Sequence, residues 1–128
     1  MKDLEFRAWL KDRMVKVEGF DFEYKYIEYK ECDDDDYVDY ANFYEIELMQ
    51  YTGLKDKNGV KIFEGDIVKV DYLQEKIFEI IFVNGGFKLK AKDCSTEYDY
   101  SITSTMIEEN AIEIIGNVWE NPKLLEIK

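Results

Sequence analysis

Between Met49 and Val70 the chain reads MQYTGLKDKNGVKIFEGDIVKV, and this block constrains the fold more than any other part of the sequence. Asn58-Gly59 tolerates the positive backbone angles of a tight hairpin turn, and Gly65, between Glu64 and Asp66, marks a second place where the chain reverses without steric cost. Around them lie short runs rich in Ile, Val, Phe and Tyr, so extended segments must fold back on one another at close intervals. A helix has no room to form there.

The same pattern recurs elsewhere. Leu4 to Trp9 and Met14 to Val17 predict a hairpin joined through Lys11-Asp12-Arg13. Phe20, Phe22, Tyr24 and Tyr26 alternate with Asp21, Glu23 and Lys25, predicting one extended segment with a buried aromatic face. Phe43 to Tyr51 predicts another strand. Asp66 to Tyr72, Ile77 to Val83, Phe87 to Ala91 and Ala111 to Trp119 then follow at the spacing of a small barrel, the middle pair joined by Asn84-Gly85-Gly86. Ser101 to Asn110 predicts one short helical turn capped by Thr103 or Ser104, and Pro122 predicts a closing turn through Leu124 and Leu125.

These segments imply a mainly β fold with little helix. Residues 1–59 form an N-terminal antiparallel subregion with an acidic loop, 60–120 an SH3-like barrel, and 121–128 a C-terminal turn, together making one compact unit. At 128 residues the chain is long enough to bury a core without staples.

Twenty-nine acidic against seventeen basic side chains give a formal charge of −12. Such a surface repels nucleic acid and anionic lipid, and it attracts cationic surfaces within about 8 to 10 Å at physiological salt. Cys32 and Cys94 form no C-x-x-C pair, and the chain has no histidine. Both are expected as reduced thiols in a soluble, cytoplasmic protein, since no apolar run approaches the roughly 20 residues that cross a bilayer and no secretory signal is visible.

Chemistry-bearing patterns are sparse. Histidine, the commonest general base and zinc ligand, is absent. Glu64 and Asp66 flank Gly65 as an acid and base could, but turn formation explains them. Asp33 to Asp36, with Asp39, invite a divalent cation, yet they lack the glycine and distal bidentate Glu of a calcium loop. The glycines form no phosphate cradle. No catalytic residue, cofactor or metal ligand set is therefore expected, and an enzyme is not. Lys88, Lys90 and Lys92 alternate with Phe87, Leu89 and Ala91, giving one strand a basic face that could touch nucleic acid. Pairing with acidic neighbours is the plainer explanation.

Three blocks carry a family resemblance: Phe6-Arg7-Ala8-Trp9, the Met49 to Val70 segment, and Ile112-Glu113-Ile114-Ile115-Gly116-Asn117-Val118-Trp119-Glu120-Asn121-Pro122. Together they resemble the YopX family of phage and prophage proteins. The resemblance implies expression in a bacterial host cytoplasm and is consistent with the barrel, but it transfers no functional residues. Gly53, Asp56, Gly59, Gly65 and Asp66 within it look like turn formers. The expected role is a phage accessory module that binds a host or phage protein with a basic surface, through the aromatic and acidic segment from Tyr24 to Tyr44. A DNA-mimicking inhibitor and a nucleic-acid-binding barrel using the lysine face are the alternatives, and a homo-oligomer is compatible with each.

Overall fold

In the computed structural model, which describes residues 4–31, 36–71, 76–91 and 99–125, the chain divides into two compact units, 1–51 and 52–128. Each contains an antiparallel arrangement of short strands.

The first unit opens with β1 (Phe6–Leu10) and β2 (Arg13–Asp21), joined by a tight turn in which Lys11 takes a positive φ of 59°. β3 (Tyr26–Lys30) and β4 (Asp39–Asn42) follow, and β5 (Ile46–Lys55) returns to pair with β1. The ladder therefore runs β4-β3-β2-β1-β5. Strand pairs place Ala8 opposite Val15 and Leu48, and Ile27 opposite Phe20 and Ala41. Side chains directly opposite share a face. That face holds the unit's core of Ala8, Leu10, Val15, Val17, Ile27, Tyr29 and Ala41.

Two expectations for this half are corrected. The alternating run from Phe20 to Tyr26 is not one strand: β2 ends at Asp21, residues 22–25 turn with Lys25 at φ 59°, and β3 begins at Tyr26. The Asp21 carboxylate accepts a hydrogen bond from the Tyr24 backbone N–H at 2.8 Å, a local bond that competes with continued extension. Phe43 to Glu45 likewise forms a 3₁₀ turn before β5. There Glu45 accepts hydrogen bonds from both the backbone and side-chain amide of Asn42, each at 3.1 Å.

The second unit takes the end of β5, which pairs with β6 (Lys61–Phe63), and then β7 (Asp66–Val70), β8 (Lys76–Val83), β9 (Gly86–Ala91), β10 (Asp99–Ser101), the helical turn α1 (Ser104–Glu108) and β11 (Ile112–Asn117). A 3₁₀ turn over Pro122–Leu125 follows, where the proline predicts one. Asn84 and Gly85 both have positive φ, the two-residue turn that matches strand twist. Thr103 caps α1, accepting from the Met106 N–H at 3.2 Å.

The fold is mainly β, but the barrel expected over 60–120 does not close. Five strands run β10-β9-β8-β7-β11, leaving β10 and β11 as edges of an open sheet. The outer edge of β11 is occupied instead by the turn at Asp56: the Lys57 N–H donates to the Ile112 carbonyl at 2.9 Å, and the Ile114 N–H donates to Asp56 Oδ2 at 3.0 Å. One face of the sheet carries Val68, Val70, Phe78, Ile80, Leu89 and Ile112, all essentially without solvent exposure, with Met106 of α1 packed against them.

Candidate functional site

In the second unit, polar side chains that could carry chemistry are committed to the fold. Asp56 is buried, and its Oδ1 accepts from the Asn58 and Val60 N–H groups at 2.9 Å each while Oδ2 holds Ile114. Asp66 is also buried and accepts from the Phe63 N–H at 2.7 Å. Glu64, the partner weighed with it as an acid–base pair, is half-buried. Gly59 and Gly65 have φ of 81° and 89°, as turn formers require, whereas Gly53, read as a turn former too, lies inside β5 with φ 87°.

The lysine stripe also has neighbours. Lys90 lies directly across the ladder from Glu79, and Lys88 across from Ile81. Burial pushes the Glu79 carboxyl above its usual range; Lys90 opposes the shift and Glu64 adds to it. Nearby, Glu113 receives Lys69 Nζ at 3.2 Å and Lys57 Nζ at 3.6 Å on the same oxygen. The hydrogen bond from Lys69 is the largest cause holding that carboxyl below its usual range, with Lys57 adding to it against partial burial.

Lys92, Cys32, Cys94 and Asp33 to Asp35 lie outside the described residues, while Asp36 and Asp39 are exposed. Among the described residues no group of three or more acidic or thiol side chains is placed to hold a metal ion, and no helix is long and apolar enough to cross a membrane.

The first unit is different. Tyr24, Tyr37, Tyr40 and Tyr44 are 62 to 86% exposed, whereas Tyr26 is half-buried and Tyr29 belongs to the core. Tyr40 meets Tyr26 edge to face at 5.4 Å. Burial raises the pKa of the Tyr26 hydroxyl, and the charge and hydrogen bond of Asp21 raise it further, with smaller contributions from Glu28 and Tyr40.

Beside these tyrosines is a feature that alternation concealed, a groove of about 250 Å³ lined by Phe20, Phe22, Ile27, Phe43, Ile46 and Leu48. Its walls are a run of ring contacts. Phe6 meets Phe20 edge to face at 5.2 Å, Phe20 stacks on Phe22 at 5.5 Å, and Phe22 meets Phe43 at 6.0 Å. Phe22 nevertheless remains 75% exposed and Leu48 42%. The signal available in sequence was Asp21, a turn-forming residue inside an apparently regular strand.

Comparison with known proteins agrees with this architecture. The model of the family described as "YopX protein" matches residues 5–126. The chain is 34% identical over 71 residues to the SPbeta prophage-derived uncharacterized protein YopX of Bacillus subtilis (strain 168), a match spanning 53% of this chain and 52% of that protein. The chain thus aligns with only about half the length of that relative. The crystal structure of protein EF1440 from Enterococcus faecalis matches with a TM-score of 0.69 and 30% identity, covering 98% of this chain and all of that one. The crystal structure of protein yopX from Bacillus subtilis matches with a TM-score of 0.62 and 22% identity over 97% of each chain, a likeness of fold.

Proposed function

The chain belongs to the YopX protein family, and from that premise we propose that it is a non-enzymatic phage or prophage accessory protein that acts by binding another protein through residues 1–51. The observation that carries this reading is the coincidence of exposed aromatic surface with negative charge. Residues 1–51 hold fifteen acidic and seven basic side chains, a formal −8 of the chain's −12. They also hold Tyr24, Tyr37, Tyr40 and Tyr44, all largely exposed.

Tyrosine supplies large contact area with only two side-chain torsions to immobilise, so it favours protein contacts at low entropic cost. The charge selects a partner with a basic patch and repels nucleic acid. The second unit, in which Asp56 and Asp66 are spent on backbone donors, serves as the scaffold.

The test is affinity capture from bacterial host lysate with the full chain as bait, across a salt series. A specific partner retained at low salt, released as salt rises, and lost from a Tyr40→Ala/Tyr44→Ala double variant supports the reading. An empty capture at low salt, or capture indifferent to both tyrosines, removes it.

A further inference from the structure

We propose that the groove between Phe20, Phe22, Phe43, Ile46 and Leu48 is an anchor pocket for one large apolar side chain of a partner protein, taken from a segment in which that side chain is flanked by lysine or arginine. This inference rests on the protein-binding reading and names the site and the partner chemistry that it requires.

Three observations combine. The first is composition: the groove is lined by aromatic and aliphatic side chains alone, so it offers no polar group to orient a metabolite. The second is size. At about 250 Å³ it falls below the roughly 300–1,000 Å³ typical of small-molecule sites, yet exceeds the ~150 Å³ of an apolar cavity known to admit a benzene ring. One aromatic or branched aliphatic side chain fits that interval.

The third is charge. Residues 1–51 carry a formal −8, and Glu23 stands next to Phe22 in the turn, while Asp21, Glu28 and Glu47 alternate onto the opposite face of the sheet and Glu45 is held by Asn42. A segment whose anchor is bracketed by cations is drawn to a unit of that net charge, and aromatic faces such as Phe22 add favourable contact with a cationic head. The same charge argues against a second copy of this chain, because two units of formal −8 would have to be brought face to face.

Phe22 makes the groove more than an incidental dent. A phenylalanine in a four-residue turn, 75% exposed, contributes little to its own unit's core, yet its ring stacks on Phe20 and stands as one wall. Phenylalanine is among the aromatic residues enriched in protein interfaces relative to the rest of the surface.

The probe is the acetylated and amidated peptide Lys-Lys-Leu-Phe-Lys-Lys, titrated into the ¹⁵N-labelled full chain and followed by amide shifts. The expected result is saturable shifts centred on Phe20, Phe22, Phe43, Ile46 and Leu48. Replacing Leu-Phe by Ala-Ala in the peptide should weaken binding by about tenfold, and Phe22→Ala or Leu48→Glu by about fivefold, the scale of losing a buried anchor. Both variants change exposed positions, and unchanged spectra elsewhere report that they fold.

Equal binding of the Ala-Ala peptide, shifts scattered over the acidic surface, or no shifts would overturn the anchor pocket. So would concentration-dependent self-association abolished by Leu48→Glu, which would give the groove to a second copy. Lysate capture separates the two levels. A partner lost with the Tyr40/Tyr44 double variant but kept by Leu48→Glu leaves protein binding standing and removes the groove; an empty capture removes the protein-binding reading itself.

Discussion

The two units build similar strands but bury their apolar side chains to different extents. Among the described residues, eight of the eleven large hydrophobic side chains left exposed belong to residues 1–51: Leu4, Phe22, Tyr24, Tyr37, Val38, Tyr40, Tyr44 and Leu48; Val60, Phe82 and Trp119 belong to the rest. Residues 52–128 instead hold most of the side chains removed from water altogether, including Ile62, Ile67, Val68, Val70, Phe78, Ile80 and Leu89. Their net charge is −4, from fourteen acidic and ten basic residues, against −8 for the first unit. Under the protein-binding proposal the apolar surface retained in water alongside charge is what a partner would cover, whereas apolar surface withdrawn from water contributes stability.

That contrast breaks most visibly in a pair of phenylalanine truncations. Phe78→Ala, at a fully buried site on β8, should destabilise the chain by about 3–5 kcal/mol through lost transfer energy and the cavity left behind. Phe22→Ala, at a site 75% exposed, should change stability by no more than about 0.5 kcal/mol. Urea titration of both variants decides the matter. If Phe22→Ala costs as much as Phe78→Ala, the groove is core and the division of labour fails.

A smaller effect tests whether the scaffold's carboxylates are structural. Asp56→Ala removes the acceptor for three backbone N–H groups, of Asn58, Val60 and Ile114, and should cost about 1–3 kcal/mol in the same titration. Its clearest signature is faster amide exchange at Ile114. Gly116→Ala belongs to the same range, because an added Cβ would stand 2.6 Å from Asn121 Oδ1 and 2.9 Å from Leu124 Cδ1. The closing turn must then shift, and steric insertion of this kind costs about 1–3 kcal/mol.

The legibility of the sequence follows the same division. Turns built on backbone geometry were readable, because Asn84-Gly85, Gly59 and Gly65 announce positive φ by residue type, and the cap at Thr103 and the turn at Pro122 have equally local causes. Mainly β structure follows from them. The open edge of the second sheet was not readable: Asp56 reaches Ile114 across 58 residues, and nothing local marks an aspartate that will serve a distant strand.

The groove was hidden for another reason. Alternation identifies a face, but Ile27 on that face is buried and Phe20 partly so while Phe22 and Leu48 are exposed, and hydrophobicity alone does not distinguish them. The Asx-type turn at Asp21 ended β2 without a glycine or proline to announce it. The lysine stripe shows the converse, since the alternation of Lys88 and Lys90 with the buried Leu89 was correctly placed, while Glu79 opposite Lys90 came from strand pairing.

The smallest expected effects sharpen the claim that the second unit's charges are tied to its fold. Glu113 is held below the usual carboxylate pKa by its two lysines, so the stability it contributes is present above that usual value and is lost as pH falls through the lowered one. Glu79 is shifted the other way by burial, so its ionised form costs stability above the raised pKa, and the cost vanishes as pH falls below the usual one. Glu113→Gln should therefore lower Tm at pH 7 and Glu79→Gln should raise it, each by at most a few degrees in a chain of this size. The Glu79 difference should vanish once the buffer is taken below the usual carboxylate value of about 4.3, and the Glu113 difference only at lower pH still, as its depressed carboxyl is protonated too. Opposite signs at neutral pH and convergence in acid would follow from two carboxylates with opposite environments on one sheet. Equal signs, or differences that persist in acid, would mean that these side chains act through packing rather than charge, and the electrostatic half of the contrast between the units would lose its support.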